Sequence, residues 1–169
     1  SHAVFQLDVP RAGSADDIRM PRQAGRRRWT DGFFNSKNIM IAIIAEKPSV
    51  GQDIARVIGA TEKKDGYMAG NGYLVTWALG HLVSLAMPSA YGYGKASHED
   101  LPMLPEPFQL VVRQIKTDRG MVTDIGAAKQ LKVIDEVFSK CDSIIVATDA
   151  GREGELIFRY IYHYLGYTK

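Results

Sequence analysis

The stretch "IIVATDAGREGELIF", Ile144 to Phe158, decides how this sequence folds. A continuous apolar run ends at Asp149, small residues follow, and a second segment rich in apolar residues begins at Arg152. The first run is typical of a strand that is buried on both faces of a parallel sheet. The second run predicts a helix, so the whole stretch predicts one strand-to-helix unit of an α/β domain.

The region that begins at residue 39 repeats this pattern. "IMIAIIA" is an apolar run with isoleucines, and it predicts a second buried strand. "VGQDIARVI" follows and is typical of a helix, with Ser49 and Gln52 matching the capping-box pattern at its start. The two buried strands are therefore each followed by a helix.

Further elements lie between these units. "YMAGNGYLVTWAL" predicts two short strands around an Asn71–Gly72 turn, and "FQLVV" predicts another strand after a long loop rich in Gly and Pro. "AAKQLKVIDEVFSK" predicts a helix with one apolar face, formed by Ala127, Leu131, Ile134 and Phe138. The order strand, helix, strands, helix, strand, helix predicts an α/β sandwich with a partly parallel sheet.

The composition sets limits on function. The hydrophobic share of 46% and the charged share of 24% are ordinary for a globular protein. No apolar run approaches the roughly 20 residues that a membrane span needs, and the single cysteine, Cys141, cannot form an internal disulfide. These features predict a cytoplasmic protein without a membrane partner.

The N-terminal residues differ from the rest in charge and pattern. Residues 1–39 carry seven Lys or Arg and four acids, whereas residues 40–169 carry 14 and 15, so the globular part has a net charge of −1. Residues 1–38 also lack a helical or strand period. We therefore expect a disordered tail, foreign to the domain or an upstream extension, with a nucleic-acid arm at "GRRRW" as the alternative. DNA binding by the domain itself, residues 39–169, would need a local patch.

Charged residues follow both predicted buried strands. Glu46 and Lys47 follow the first, and Asp149, Arg152 and Glu153 follow the second. Ligands of open α/β sheets bind at the carboxyl ends of strands, so three carboxylates meet there if the strands are neighbours. Carboxylates in one place repel each other unless a hard cation such as Mg²⁺ joins them. Lys47 and Arg152 are then candidate phosphate partners.

A structural role for the same acids stays open at this point. Asp149 would cap the last helix, and Glu153 would interact favourably with the helix dipole. Spacing alone leaves two interpretations, which are metal-assisted phosphate chemistry and a polar helix start.

Four segments, taken in order, resemble the Toprim domain of type IA DNA topoisomerases, specifically the topoisomerase III branch. They are "IAEKPSV", "GNGYLVTWALGHL", "EDLPMLPEPFQL" and "ATDAGREGELI". The resemblance implies a Toprim, Rossmann-like fold with a mostly parallel central sheet and helices on both faces. It also implies that the domain is an N-terminal fragment of a longer topoisomerase. The last helix is apolar almost all round, so we expect the remaining domains to cover part of it.

The resemblance also implies roles for individual residues. Glu46, Asp149 and Glu153 hold Mg²⁺, and Lys47 contacts the scissile phosphate of single-stranded DNA. Together with the residue pattern, this predicts Glu46, Lys47 and Arg152 as catalytic residues. The predicted DNA contacts are Lys47, Arg152 and His81; His81 could instead contact the metal site or be a hydrogen-bonded turn residue.

The acidic motif departs from the family pattern at one position. The family often has Asp-x-Asp-x-Glu, and Gly151 stands where the middle acid would be, as in some topoisomerase III relatives. This departure puts a second metal ion in doubt. None of the eight tyrosines lies in a motif like that of the family's nucleophile, so the isolated chain is expected to be inactive.

Two other functions compete with this interpretation. One is another Toprim-type nuclease or primase-like domain, and the other is a non-catalytic DNA-binding module in which the acids are structural. The topoisomerase interpretation predicts a nucleoid-associated protein of the cytoplasm.

Overall fold

The computed structural model describes residues 5–8, 39–93, 98–118 and 120–167. In chain order, the strands are β1 (Phe5–Asp8), β2 (Ile41–Ala45), β3 (Glu62–Lys64), β4 (Tyr67–Gly70), β5 (Tyr73–Trp77), β6 (Val83–Leu85), β7 (Leu110–Val112), β8 (Gln114–Thr117), β9 (Gly120–Thr123) and β10 (Ser143–Ala147). The α-helices in these ranges are α1 (Pro48–Ile58), α2 (Ile125–Lys140) and α3 (Arg152–Tyr164). Within the same ranges, no helix has the length and apolar character that crossing a membrane requires.

Six strands form the main sheet, in the order β1-β10-β2-β5-β4-β3. The three central strands, β10, β2 and β5, run parallel, and Ala45 of β2 lies opposite both Ala147 of β10 and Trp77 of β5. These strands therefore end at the same level. Antiparallel strands extend the sheet at both edges.

Helices cover both faces of this sheet. Along β2, Ile43 packs in one apolar cluster with Ala55 of α1, whereas Ile44 packs in a larger cluster with Ile134 of α2 and Ile161 of α3. Burying each of these isoleucines stabilises the fold by about 1.5–3 kcal/mol. The predicted α/β class, with parallel central strands and helices on both faces, is confirmed.

Several predicted elements are present. The Asn71–Gly72 turn joins β4 to β5, with φ of +51° and +80° as this type of hairpin turn requires. The predicted apolar face of α2 is buried. The long loop predicted before "FQLVV" instead contains β6, which pairs with β7. The sequence did not reveal β6, because a three-residue strand is too short to show a period.

The last helix is covered by the domain itself more than its sequence suggests. Phe158 and Tyr162 are both buried, and the Tyr162 ring stacks on that of Tyr167 at 5.3 Å between centroids. At Phe158 and Tyr162, therefore, the domain itself supplies the cover that was expected from other domains. Leu156 and Tyr164 stay 39% and 41% exposed.

Residues 5–8 correct part of the predicted tail. They form β1 and pair antiparallel with β10, with Phe5 opposite Val146 and Asp8 opposite Ser143. The prediction of disorder is wrong for these four residues, because pairing with a strand far along the chain leaves no local period. The rest of the predicted tail, residues 1–4 and 9–38, lies outside the described residues.

Candidate metal and phosphate site

Three chain segments leave the sheet together where β2, β5 and β10 end. Two backbone hydrogen bonds attach the segment after β5 to the end of β2. The Ala78 N–H donates to the Ala45 carbonyl at 2.8 Å, and the Gly80 N–H donates to the Glu46 carbonyl at 3.4 Å. Gly80 has φ of +68°, a left-handed conformation that glycine adopts without strain. The residues after these three strands therefore lie together at one edge of the sheet.

The two strand ends that carry acids are neighbours. β2 lies next to β10, and the Asp149 N–H donates to Oε2 of Glu46 at 3.4 Å. The Glu46 side chain is half-buried, and Asp149 is exposed. The structure thus brings the Glu46 carboxylate to the start of the turn that carries Asp149.

The third predicted acid, Glu153, lies in the first turn of α3 and contacts the segment after β5. Its Oε1 is 3.3 Å from Nε2 of His81. The exposed fractions of the two side chains are 81% for Glu153 and 41% for His81, so this contact contributes little to stability. His81 is therefore a hydrogen-bonded turn residue that lies at the same edge as Glu46, Asp149 and Glu153, which we call the acidic edge.

The two helices that begin at this edge have no side-chain cap. The N-cap residue of α1 is Lys47 and that of α3 is Gly151, and neither helix start has a side-chain capping hydrogen bond. The predicted capping box of Ser49 and Gln52 is wrong, because α1 begins earlier, with Pro48 in its first turn. A capping role for Asp149 is also excluded by this geometry.

Two glycines that follow Asp149, Gly151 and Gly154, differ in their surroundings. A Cβ on Gly154 would lie 2.9 Å from the Asp149 nitrogen and closer still to the Asp149 carbonyl oxygen. Gly154 thus lets the backbone of Asp149 pack against the first turn of α3. A Cβ on Gly151 would meet no atom within 4 Å, so the turn has room for a side chain there.

The cationic residues of the edge are open to solvent. Lys47 and Arg152 are exposed, and in the described part of the chain neither forms an ion pair with a carboxylate. Across the same residues, no three His, Cys, Asp or Glu side chains are grouped closely enough to enclose a metal ion. Glu46, Asp149 and Glu153 therefore line one edge as an open set.

Sequence reasoning missed one arginine that contacts this edge from the side. Arg113 lies between β7 and β8, and its Nη1 donates to the Leu79 carbonyl at 2.8 Å. Its Nη2 is 2.7 Å from Oδ2 of Asp124, the N-cap residue of α2. The hydrogen bond from Arg113, followed by that from the Ala127 N–H, lowers the pKa of Asp124. The sequence offered one signal, an aspartate directly before a helical pattern.

Comparison with known proteins places the chain in a family. The family model for the Toprim domain matches residues 41–169. The chain is 49% identical to DNA topoisomerase 3 of Shouchella clausii over 124 residues, which are 71% of this chain and 16% of that protein. It is 48% identical to DNA topoisomerase 3 of Bacillus subtilis over 123 residues, which are 70% of this chain and 15% of that protein.

A third relative, DNA topoisomerase 3 of Bacillus licheniformis, is 47% identical over 131 residues, which are 75% of this chain and 16% of that protein. The chain thus spans about 16% of the length of these relatives. The family match includes the three parallel strands and both acidic turns. The chain therefore belongs to the Toprim domain family and, within it, to the topoisomerase III branch.

Proposed function

We propose that this chain is the metal- and phosphate-binding part of a topoisomerase III. In this role Glu46, Asp149 and Glu153 bind Mg²⁺, while Lys47 and Arg152 contact the phosphate at which a DNA single strand is cut and resealed. The observation that carries the proposal is the meeting of Glu46 with the Asp149 turn at the ends of two adjacent parallel strands. The nucleophile comes from another domain of the longer protein, which acts at the nucleoid in the cytoplasm.

The donor set suits Mg²⁺. Glu46, Asp149 and Glu153 offer carboxylate oxygens, which hard cations prefer. Glu153 is 81% exposed; its Oε1 contacts His81, and its second carboxylate oxygen is open to a ligand. The open arrangement also leaves room for the waters and phosphate oxygens that Mg²⁺ commonly keeps as ligands. When bound, the ion would position the phosphate and offset its negative charge.

The same edge suits a phosphate. α1 and α3 both begin here without a side-chain cap, so N–H groups of their first turns stay available, and the positive ends of both helix dipoles favour an anion. Lys47 and Arg152 add two full positive charges. Because residues 40–169 carry a net charge of −1, DNA binding by the domain depends on this local patch.

The rival functions are less well supported. A non-catalytic module with structural acids needs Asp149 to cap α3, but the N-cap residue is Gly151; Glu153 does lie in the first turn, where it interacts favourably with the helix dipole. A Toprim nuclease or primase-like domain would use the same edge. Against it stands the identity of 47–49% to proteins named DNA topoisomerase 3.

Binding of a labelled single-stranded oligonucleotide with Mg²⁺ present tests the phosphate contacts. Lys47→Ala and Arg152→Ala should each weaken binding and reduce the slope of log affinity against log salt by about 0.7. Lys132→Ala is the matched control, because Lys132 is exposed on α2, away from the edge. The same loss of affinity in all three variants would contradict the proposed patch.

A second assay tests the division of labour between domains. The chain alone should neither nick nor relax negatively supercoiled plasmid with Mg²⁺, because a type IA reaction needs a nucleophilic tyrosine to form its covalent intermediate. Gel electrophoresis of the plasmid measures this. Robust relaxation that Asp149→Asn abolishes would contradict the assignment of the nucleophile to another domain.

A further inference from the structure

The segment between β5 and β6, residues 78–82, contacts both Glu46, after β2, and Glu153, in the first turn of α3. The Gly80 N–H donates to the Glu46 carbonyl at 3.4 Å, and Nε2 of His81 is 3.3 Å from Oε1 of Glu153. Glu46 follows β2, whereas Glu153 belongs to α3. The 78–82 segment therefore bridges two acids that different elements supply.

One residue, Arg113, holds this segment from its other side. Its Nη1 donates to the Leu79 carbonyl at 2.8 Å and to the His81 carbonyl at 3.5 Å. Its backbone N–H donates to the Leu82 carbonyl at 2.8 Å. Three carbonyl groups of a five-residue segment thus accept hydrogen bonds from Arg113, and two of them flank Gly80.

The Arg113 guanidinium is itself fixed in place. Its Nε and Nη2 donate to Oδ2 of Asp124 at 2.9 and 2.7 Å, and the Asp124 N–H donates to the Arg113 carbonyl at 2.9 Å. Asp124 also caps α2. The side chains are 35% and 20% exposed, which makes this the most shielded ion pair among the described residues. The anchor is therefore attached to the start of a packed helix.

We propose that Arg113 is a positioning residue of the acidic edge. By anchoring the 78–82 segment, it sets where Glu46 and Glu153 lie relative to each other. Lysine cannot replace it, because one ammonium group lacks the planar fork that binds Asp124 and the Leu79 carbonyl together. The consequence for Mg²⁺ rests on the proposed function, whereas the anchoring concerns the metal-free chain alone.

The test compares metal-free wild type with Arg113→Lys by NMR at constant pH. The Gly80 amide should exchange its proton about tenfold faster in the variant, the effect of losing a charge-assisted hydrogen bond in a local opening. The proximity between the His81 ring and the Glu153 side chain should be lost, with little change in melting temperature. Arg159→Lys is the matched control, since Arg159 forms an exposed pair with Glu155 on α3 and should change neither signal.

A magnesium titration separates this inference from the proposed function. If wild type binds Mg²⁺ at the edge, Arg113→Lys should weaken that binding several-fold. If wild type shows no binding, the proposed function fails, and the metal-free spectra still decide the anchoring. If Arg113→Lys does not fold, Asp124→Asn takes its place. Asparagine keeps a capping side chain but loses the charge that binds Arg113, so Gly80 exchange should become faster by less than about tenfold. Unchanged Gly80 exchange and an unchanged His81–Glu153 contact in a folded variant would overturn the proposal.

Discussion

Helices α2 and α3 both begin beside an aspartate, and they use it differently. At α2 the N-cap residue is Asp124, and its Oδ1 accepts hydrogen bonds from the N–H groups of Gly126 and Ala127. At α3 the N-cap residue is Gly151, and Asp149 contributes its backbone carbonyl, which accepts from the Gly151 N–H at 2.8 Å. An acid near a helix start is therefore not always a cap. The carboxylate of Asp149 remains available for a ligand.

The largest effect should come from Gly154→Ala. The new Cβ would collide with the Asp149 backbone, so the start of α3 must shift. We expect a loss of about 3 kcal/mol in the free energy of unfolding and a fall of roughly 6–12 °C in melting temperature. Thermal unfolding by circular dichroism measures it.

Gly151→Ser is the control for this change. Open space surrounds position 151, and serine is a good N-cap residue, so this variant should melt close to wild type. If Gly154→Ala had the same melting temperature as Gly151→Ser, the start of α3 would not depend on close packing against Asp149.

A pair of alanine variants tests the comparison itself. Asp124→Ala removes both a helix cap and the partner of Arg113, so the melting temperature should fall by several degrees. Asp149→Ala removes an exposed carboxylate that caps nothing, and the free energy of unfolding should change by no more than about 0.5 kcal/mol. Equal losses of stability in the two variants would show that Asp149 has a structural role.

Acid should reduce the contribution of Asp124 to stability, which is a smaller effect. The hydrogen bond from Arg113 lowers the pKa of Asp124 in the folded chain from its ordinary value of 3.8. Its charged form therefore stabilises the fold above pH 3.8, and this stabilisation is lost as the pH falls through the lowered folded pKa. Urea unfolding of wild type and Asp124→Asn should show a stability difference near pH 7 that shrinks in acid. A difference that grows in acid would contradict the sign of this shift.

The acidic edge could be predicted from sequence because its signals are local. An apolar run, an acid and a helical pattern sit next to each other in both turns, and the order of elements made β2 and β10 candidates for neighbours. The fold class follows from the same runs.

The anchor could not be predicted, because its partners are distant in sequence. Arg113 contacts Leu79 from 34 positions away, and an arginine after an apolar strand has no distinctive local pattern. The pairing of residues 5–8 with β10 was missed for the same reason. Long-range contacts that fix a site leave little trace in local periodicity.

Gly151→Asp should change metal binding more than stability. The position has room for the side chain, and the added carboxylate should tighten Mg²⁺ binding several-fold. Aspartate is also a good N-cap residue, so Gly151→Asn is the matched control, because asparagine caps a helix about equally well without a charge. Isothermal calorimetry compares the affinities. Equal gains in both variants would mean that capping, and not a new ligand, is responsible.

The central claim is that the turns after β2 and β10 bind one Mg²⁺ jointly, with Asp149 and Glu153 as ligands rather than caps. Magnesium titration of isotope-labelled wild type and Glu46→Gln by NMR tests it most directly. In wild type, amide signals at Glu46 and at Asp149 should shift with one common affinity, because one ion contacts both turns. In Glu46→Gln, the response at Asp149 should weaken strongly, although that turn itself is unaltered. A response at Asp149 that is unchanged in Glu46→Gln, or no response at either turn in wild type, would contradict the account.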